Sequence, residues 1–272
     1  MGQIEINHTG SGGGIVLSSD GTNLLLGGSA VGGGADLYAA NESSPAAQPS
    51  ATGANAIAIG DSAVASNQDS IAIGDGANSA AYFGVAIGWG ASTTSNGSRG
   101  IAIGKSATTD GISSFAAGDS ATITNTGTSA GALGTSYAAG TDSFAAVIST
   151  NSSSYGATGA NSVAIGNQAK ANGSNALALG GWQNLVTNSL AVALGGYDNH
   201  ATGIAAVSIG GNQGNRATGN ASLCIVGYQN SKIASDDNSF AMGEGAKPAI
   251  KGKLAYTGGF FSAIGDAQGG TF

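Results

Sequence analysis

The chain is poor in most of what specifies a familiar enzyme or membrane protein. One cysteine in 272 residues, Cys224, leaves no intrachain disulfide framework. Its place inside a short apolar run reads as small buried filler rather than a reactive thiol. Charged residues make up only 8%, and 8 basic against 15 acidic side chains give a formal charge of −7. With no basic run, duplex nucleic acid and anionic lipid are not expected partners. No stretch approaches the roughly 20 apolar residues of a membrane helix, so no membrane insertion is expected. The start, Met1-Gly-Gln-Ile-Glu-Ile-Asn7, lacks the basic-then-apolar order of a secretory signal. The two histidines, His8 and His200, lie in different regions without a recurring carboxylate partner, and Asp236-Asp237 is the one consecutive acidic pair. General acid–base chemistry and polysaccharide cleavage therefore have little to stand on, and no enzyme is expected. Acidic residues do not recur at one register, as calcium-binding rolls require, so neither a metal nor a cofactor is expected. Threonine pairs at 93–94, 108–109 and 122/124 begin a column of the kind ice-binding rolls use, but it fails in neighbouring repeats.

Glycine, in contrast, is abundant: 49 residues, against a usual share of about 7%. Hydrophobic residues reach 41%, many of them Ala, Ile, Val and Leu in register, which excludes a disordered chain. The register comes from one stretch, Asn55-Ala-Ile-Ala-Ile-Gly60, which the chain keeps rewriting. It returns as Ile71-Ala-Ile-Gly74, Val85-Ala-Ile-Gly88, Ile101-Ala-Ile-Gly104 and Val163-Ala-Ile-Gly166. Looser copies end at 118, 134, 180, 195, 210 and 243, and degenerate ones at Ser149 and Val226. About 13 coils of 14–17 residues follow, the mark of a solenoid.

Residues 1–50 lack the repeat. Ile4 and Ile6 alternate with polar residues, Ile15–Leu17 and Leu24–Leu26 are short β-like runs, and Pro45 and Pro49 mark a linker. This segment is expected to be a small β cap or attachment arm, 51–246 the coils, and 247–272 a short C-terminal β segment. Within Ile57-Ala-Ile59 side chains alternate, so the two isoleucines face one way and Ala58 the other. The expectation is that the aliphatics fill the coil and the alanines leave a flat outer face. Gly60 takes a positive φ and turns the chain; a second thin strand follows, and Asn67-Gln-Asp69 turns it back. A core one or two aliphatics wide falls short of the entropy of ordering about 15 residues per coil. Copies of the same chain are expected to press on the flat face, making the protein an obligate homo-oligomer.

Asn161-Ser-Val-Ala-Ile-Gly-Asn-Gln-Ala-Lys-Ala171, repeated this often, resembles the head repeat of YadA-type trimeric autotransporter adhesins. The resemblance covers about residues 51–246. It implies an all-β fold, a left-handed parallel β-roll, with three chains around one axis. That family also carries a signal peptide, a coiled-coil stalk and a C-terminal membrane barrel, which are not read here. The same roll occurs in bacteriophage fibre proteins, and Gly252–Tyr256 with Phe260–Gln268 is similar to a module of phage structural proteins. The resemblance thus implies a non-enzymatic, homotrimeric virion fibre or tail fibre, assembled in the host cytoplasm. It would join other virion proteins through its N-terminal region and touch a host-surface glycan or protein. The rivals are a cellular adhesin head on a bacterial surface and a capsid or tail decoration protein that binds no receptor.

The second half of the roll changes style after the coil glycine: Gly181-Trp-Gln-Asn184, Gly196-Tyr-Asp-Asn199, Gly211-Asn-Gln-Gly-Asn215 and Gly227-Tyr-Gln-Asn230. Trp182, Tyr197, Asn212 and Tyr228 are expected to stack in one line, and Asn184, Asn199, Asn215 and Asn230 in a parallel column. The structural reading is an amide ladder that satisfies turn carbonyls beside aromatics that cover a corner. The functional reading makes Trp182, Tyr197 and Tyr228 a receptor ridge, where aromatic faces stack on saccharides. Trp89, in Gly88-Trp-Gly90, is a further candidate contact.

Overall fold

The computed structural model describes residues 4–6, 15–19, 24–26, 29–31, 48–146, 154–212, 214–225, 232–248, 250–258 and 269–271. The chain divides into two compact units, Met1–Pro45 and Ala46–Phe272. In the first, strands Ile4–Ile6, Ile15–Ser19, Leu24–Leu26 and Ser29–Val31 pair antiparallel in sequence order, a β-meander built on the apolar runs of that segment.

The second unit is a parallel β-solenoid, and no helix occurs among the described residues. Each coil contributes one strand to each of two sheets. Motif strands such as Ile57–Ile59, Ile71–Ile73 and Val85–Ile87 form a 15-stranded sheet. Return strands such as Val64–Ala65 and Asn78–Ser79 form a 13-stranded sheet. The register keeps like residue on like: Ile57 on Ile71, Ala58 on Ala72, Ile59 on Ile73. Every repeat expected from the sequence supplies a motif strand, although the coil ends expected at Ser149 and Val226 lie outside the described residues.

The sense of the alternation is the reverse of the expected one. The interior is alanine: Ala72, Ala86, Ala102, Ala116, Ala132, Ala145, Ala164, Ala178 and Ala193 are all fully buried in the middle of their motif strands. Facing them, Ala65, Ala138, Ala157, Ala171 and Ala201 are buried from the return strands. Ile57, Ile71, Val85 and their column mates point out of the roll, and Ile57 is 44% exposed. Two strands and two tight turns in 14–17 residues bring the sheets close, so small side chains fill most rows, with Thr93, Thr109, Ile123 and Val186 the larger ones taken in from the return strands. The flat alanine face is thus internal, and the outer face of the motif sheet is aliphatic. Cys224 sits in the alanine column, fully buried and outside any disulfide, as the small filler it was read to be.

Both corners run as ladders. Gly60, Gly74, Gly88, Gly104 and Gly118 hold φ between 126° and 133°. A Cβ on Gly74 would sit 2.6 Å from the carbonyl oxygen of Gly88 in the next row, so only glycine stacks here. At the opposite corner, Asn55, Asp69, Phe83, Arg99, Ser113 and Ser129 are left-handed, φ 54–59°. Each of these from Asp69 on donates its N–H to the preceding row, as Asp69 does to Ala54 at 2.8 Å.

One further row follows the expected set. Leu254–Gly258 joins the motif sheet in parallel, with Leu254 on Phe240, Ala255 on Ala241 and Tyr256 on Met242. Gly269–Thr271 then pairs antiparallel with it. The stretch Phe260–Gln268 lies outside the described residues.

Candidate functional site

The change of style after residue 166 is a change of corner. Where one glycine sufficed near φ 130°, pairs now follow: Gly180 and Gly181 at 65° and 67°, Gly195 and Gly196 at 60° and 76°. The loop gains a residue, and an asparagine takes the inward place that Ala63 or Ala77 holds in earlier rows. Asn184, Asn199 and Asn215 are all at most 1% exposed. Their Nδ2 groups donate to turn carbonyls: Asn184 to Leu179 at 3.1 Å and to Gly180, Asn199 to Leu194 at 3.3 Å and to Gly195, Asn215 to Ile209 at 3.2 Å and to Gly210. The amide adds a second donor to the Leu179 and Leu194 carbonyls, which also accept from the N–H groups of Gly195 and Gly210, and reaches the carbonyl of the coil glycine as well. Asn230 lies outside the described residues.

The same corner throws the aromatics outward. Trp182 pairs with Tyr197 and Tyr197 with Asn212 in parallel bridges, placing the three in one line. The Trp182 and Tyr197 rings meet edge to face, centroids 4.8 Å apart at 80°. Trp182 remains 41% exposed, and its Nε1 donates to Gln168 Oε1 at 3.2 Å. Tyr228 lies outside the described residues. Trp89 occupies the same corner in an early row, since Ser106 donates to its carbonyl as Asp198 does to that of Trp182. It is 57% exposed, with the Lys105 ammonium 5.8 Å from its ring centre. Trp89 is therefore remote from the other aromatics along the roll.

Below this line, on the return-sheet side, lies a cleft of about 320 Å³ that the sequence reading did not contain. Ser154, Tyr155, Gln168, Lys170, Gln183, Asn184, Leu185, Asp198 and His200 line it. Lys170, Leu185, His200 and Arg216 occupy one register position in four successive rows. His200 Nε2 meets Asp198 Oδ1 at 2.7 Å, and Arg216 approaches His200 Nδ1 at 2.9 Å and Asp198 Oδ2 at 3.3 Å. An arginine can only donate, so His200 accepts at Nδ1 and donates from Nε2 to the carboxylate. The residue that the sequence left without a partner thus has two. Both imidazole nitrogens of His200 are thus engaged within this cluster. Among the described residues, no group of three or more His, Cys, Asp or Glu comes together to hold a metal.

Residues 51–77, 65–91 and 157–181 match the YadA head domain repeat. These stretches contain the motif strands beginning at Ile57, Ile71, Val85, Val163 and Leu177. Rows at the start and in the middle of the roll thus match this head repeat. No curated protein matches the chain.

Proposed function

We propose that the protein is a homotrimeric adhesive fibre, projecting from a surface and holding a target through the corner at Trp182 and Tyr197. The observation that carries the assembly is the outer face of the motif sheet. Its two columns run Ile57, Ile71, Val85, Ile101, Phe115 and Ile59, Ile73, Ile87, Ile103, and continue to Leu254 and Tyr256, Gly131 being the one position without a hydrophobic side chain. An apolar stripe of this length, interrupted only at Gly131, is far beyond what a soluble monomer leaves open. Identical copies turned about an axis parallel to the roll cover it in every row, and the match to the YadA head repeat supports three of them.

Adhesion rests on exposed Trp182 and half-buried Tyr197 beside a polar cleft, repeated three times around the shaft so that weak contacts multiply. The setting we favour is a phage virion, as a tail or capsid fibre anchored through its N-terminal segment. The YadA head match supports the second setting, a bacterial cell surface. Terminase and portal genes beside the reading frame would select the virion, and a downstream stalk and membrane anchor the cell. Adhesion itself is tested by binding of the purified protein to arrays of glycans and surface proteins, repeated with Trp182→Ala and Tyr197→Ala. Binding by the parent that falls in both variants supports the corner as receptor site. Equal binding by all three assigns adhesion elsewhere, and no binding by any makes the protein a decoration or shaft component.

A further inference from the structure

Building on that adhesive reading, we infer that the cleft beneath Trp182 takes a carboxylated saccharide, with the acid group held by Lys170. Charge balance within the cleft decides the class of ligand. Its carboxylate, Asp198, is fully engaged: Oδ1 by His200 and Oδ2 by Arg216. Lys170 has no ion pair among the described residues. The cleft with its flanking arginine is therefore a cationic spot on a chain of net charge −7. Acidic ligands are repelled by most of this surface and drawn to this part of it.

The rest of the lining suits a sugar. Gln168 and Gln183 offer amides, with Gln183 Nε2 donating to Gln168 Oε1 at 2.8 Å, which leaves further amide donors and acceptors for hydroxyl groups. The Tyr155 side chain packs against the alanine core and lines the cleft as a wall fixed from behind. Trp182, outside the lining itself but hydrogen-bonded to Gln168 within it, adds an exposed indole next to the cleft. The geometry also repeats along the axis. Lys170, Leu185, His200 and Arg216 rise by one row each, about 4.8 Å per step. A sugar unit in an extended glycan advances by a comparable length, so successive units of a bound chain meet successive rows.

The test is a set of matched glycans on an array, each acidic member beside its carboxyl-reduced form, probed with the full chain and with Lys170→Gln, Lys170→Arg and Lys105→Gln. Lys170→Gln is checked first for an unchanged melting curve, since Lys170 is half-buried and makes no ion pair among the described residues. The expected result is binding to acidic members that drops about tenfold or more on carboxyl reduction or in Lys170→Gln, the loss of one charge-assisted hydrogen bond. Lys170→Arg should recover part of the binding, and Lys105→Gln should change nothing. Equal binding to acidic and reduced members overturns the acid assignment and leaves glycan adhesion standing. Binding to proteins alone overturns the saccharide assignment and leaves adhesion standing. Binding to neither overturns both.

Discussion

At the scale of single residues, the corners set the tolerances. Gly74 at φ 128° stands against the backbone of Gly88, so Gly74→Ala meets a forbidden conformation and a backbone clash together. A loss of at least about 2 kcal/mol is expected, read as a lower midpoint of chemical denaturation. Leu190 is the opposite case. It holds φ 61° with its side chain 58% exposed, so it bears left-handed strain without evident burial in return. Leu190→Asn should raise the denaturation midpoint, by up to about 1 kcal/mol, because asparagine tolerates that region better. The inward asparagines carry a different weight. Asn199→Ala removes the amide donor to the Gly195 carbonyl and one of two donors to that of Leu194, which keeps the Gly210 N–H, and a loss of about 1–3 kcal/mol is expected in the same measurement. If Asn199→Ala were neutral, water would have to enter the wider corner to serve the Gly195 carbonyl.

At the scale of the strand, the interior is governed by the gap between two sheets. Ala102 is fully buried at the centre of Ile101–Ile103, while Ile103 is 39% exposed. Ala102→Val should therefore destabilise the fold by about 1–3 kcal/mol through overpacking, and Ala102→Leu by more. Had the isoleucines filled the coil, Ala102→Val would be close to neutral, so a denaturation series at 102 separates the two arrangements. Residue order could not make that distinction. A period of two places Ile101 and Ile103 on one face and Ala102 on the other, but it is silent on which face is inside. That depends on coil width, which only the closed turns set. The rows themselves were legible, because each glycine that turns the chain also stacks on its counterpart and so had to recur at Gly60, Gly74 and Gly88. The row at Leu254-Ala255-Tyr256 was hidden because Thr257 stands where that glycine is expected. The cleft was hidden for another reason. Tyr155, Lys170, Gln183 and His200 come from four different rows, and only the vertical register makes them neighbours.

At the scale of the assembled roll, the question is what a single copy would expose. Its parallel motif strands, at about 4.8 Å each, extend the aliphatic stripe for roughly 65 Å. Each coil buries mainly methyl groups inside, worth about 0.8 kcal/mol apiece, whereas the larger side chains lie on the outer face. In the proposed trimer most of the apolar burial open to this sequence would lie between copies, and folding and association should then be one event. Two measurements follow. Light scattering of the native protein should give three chain masses, and the thermal midpoint should rise with protein concentration, as it must when unfolding dissociates the oligomer. Ile73→Asp with Ile87→Asp places charges in adjacent rows of the stripe, Ile73 pairing directly with Ile87. That double variant should lose the trimer and, with it, most of the cooperative transition, because a carboxylate buried in an apolar seam has no partner there. Lys105→Asp, on the exposed corner, is the matching control and should keep both. A charged stripe that remained folded as a monodisperse single chain would mean that the alanine interior and its backbone ladders suffice alone, and the outer isoleucines would then need another explanation.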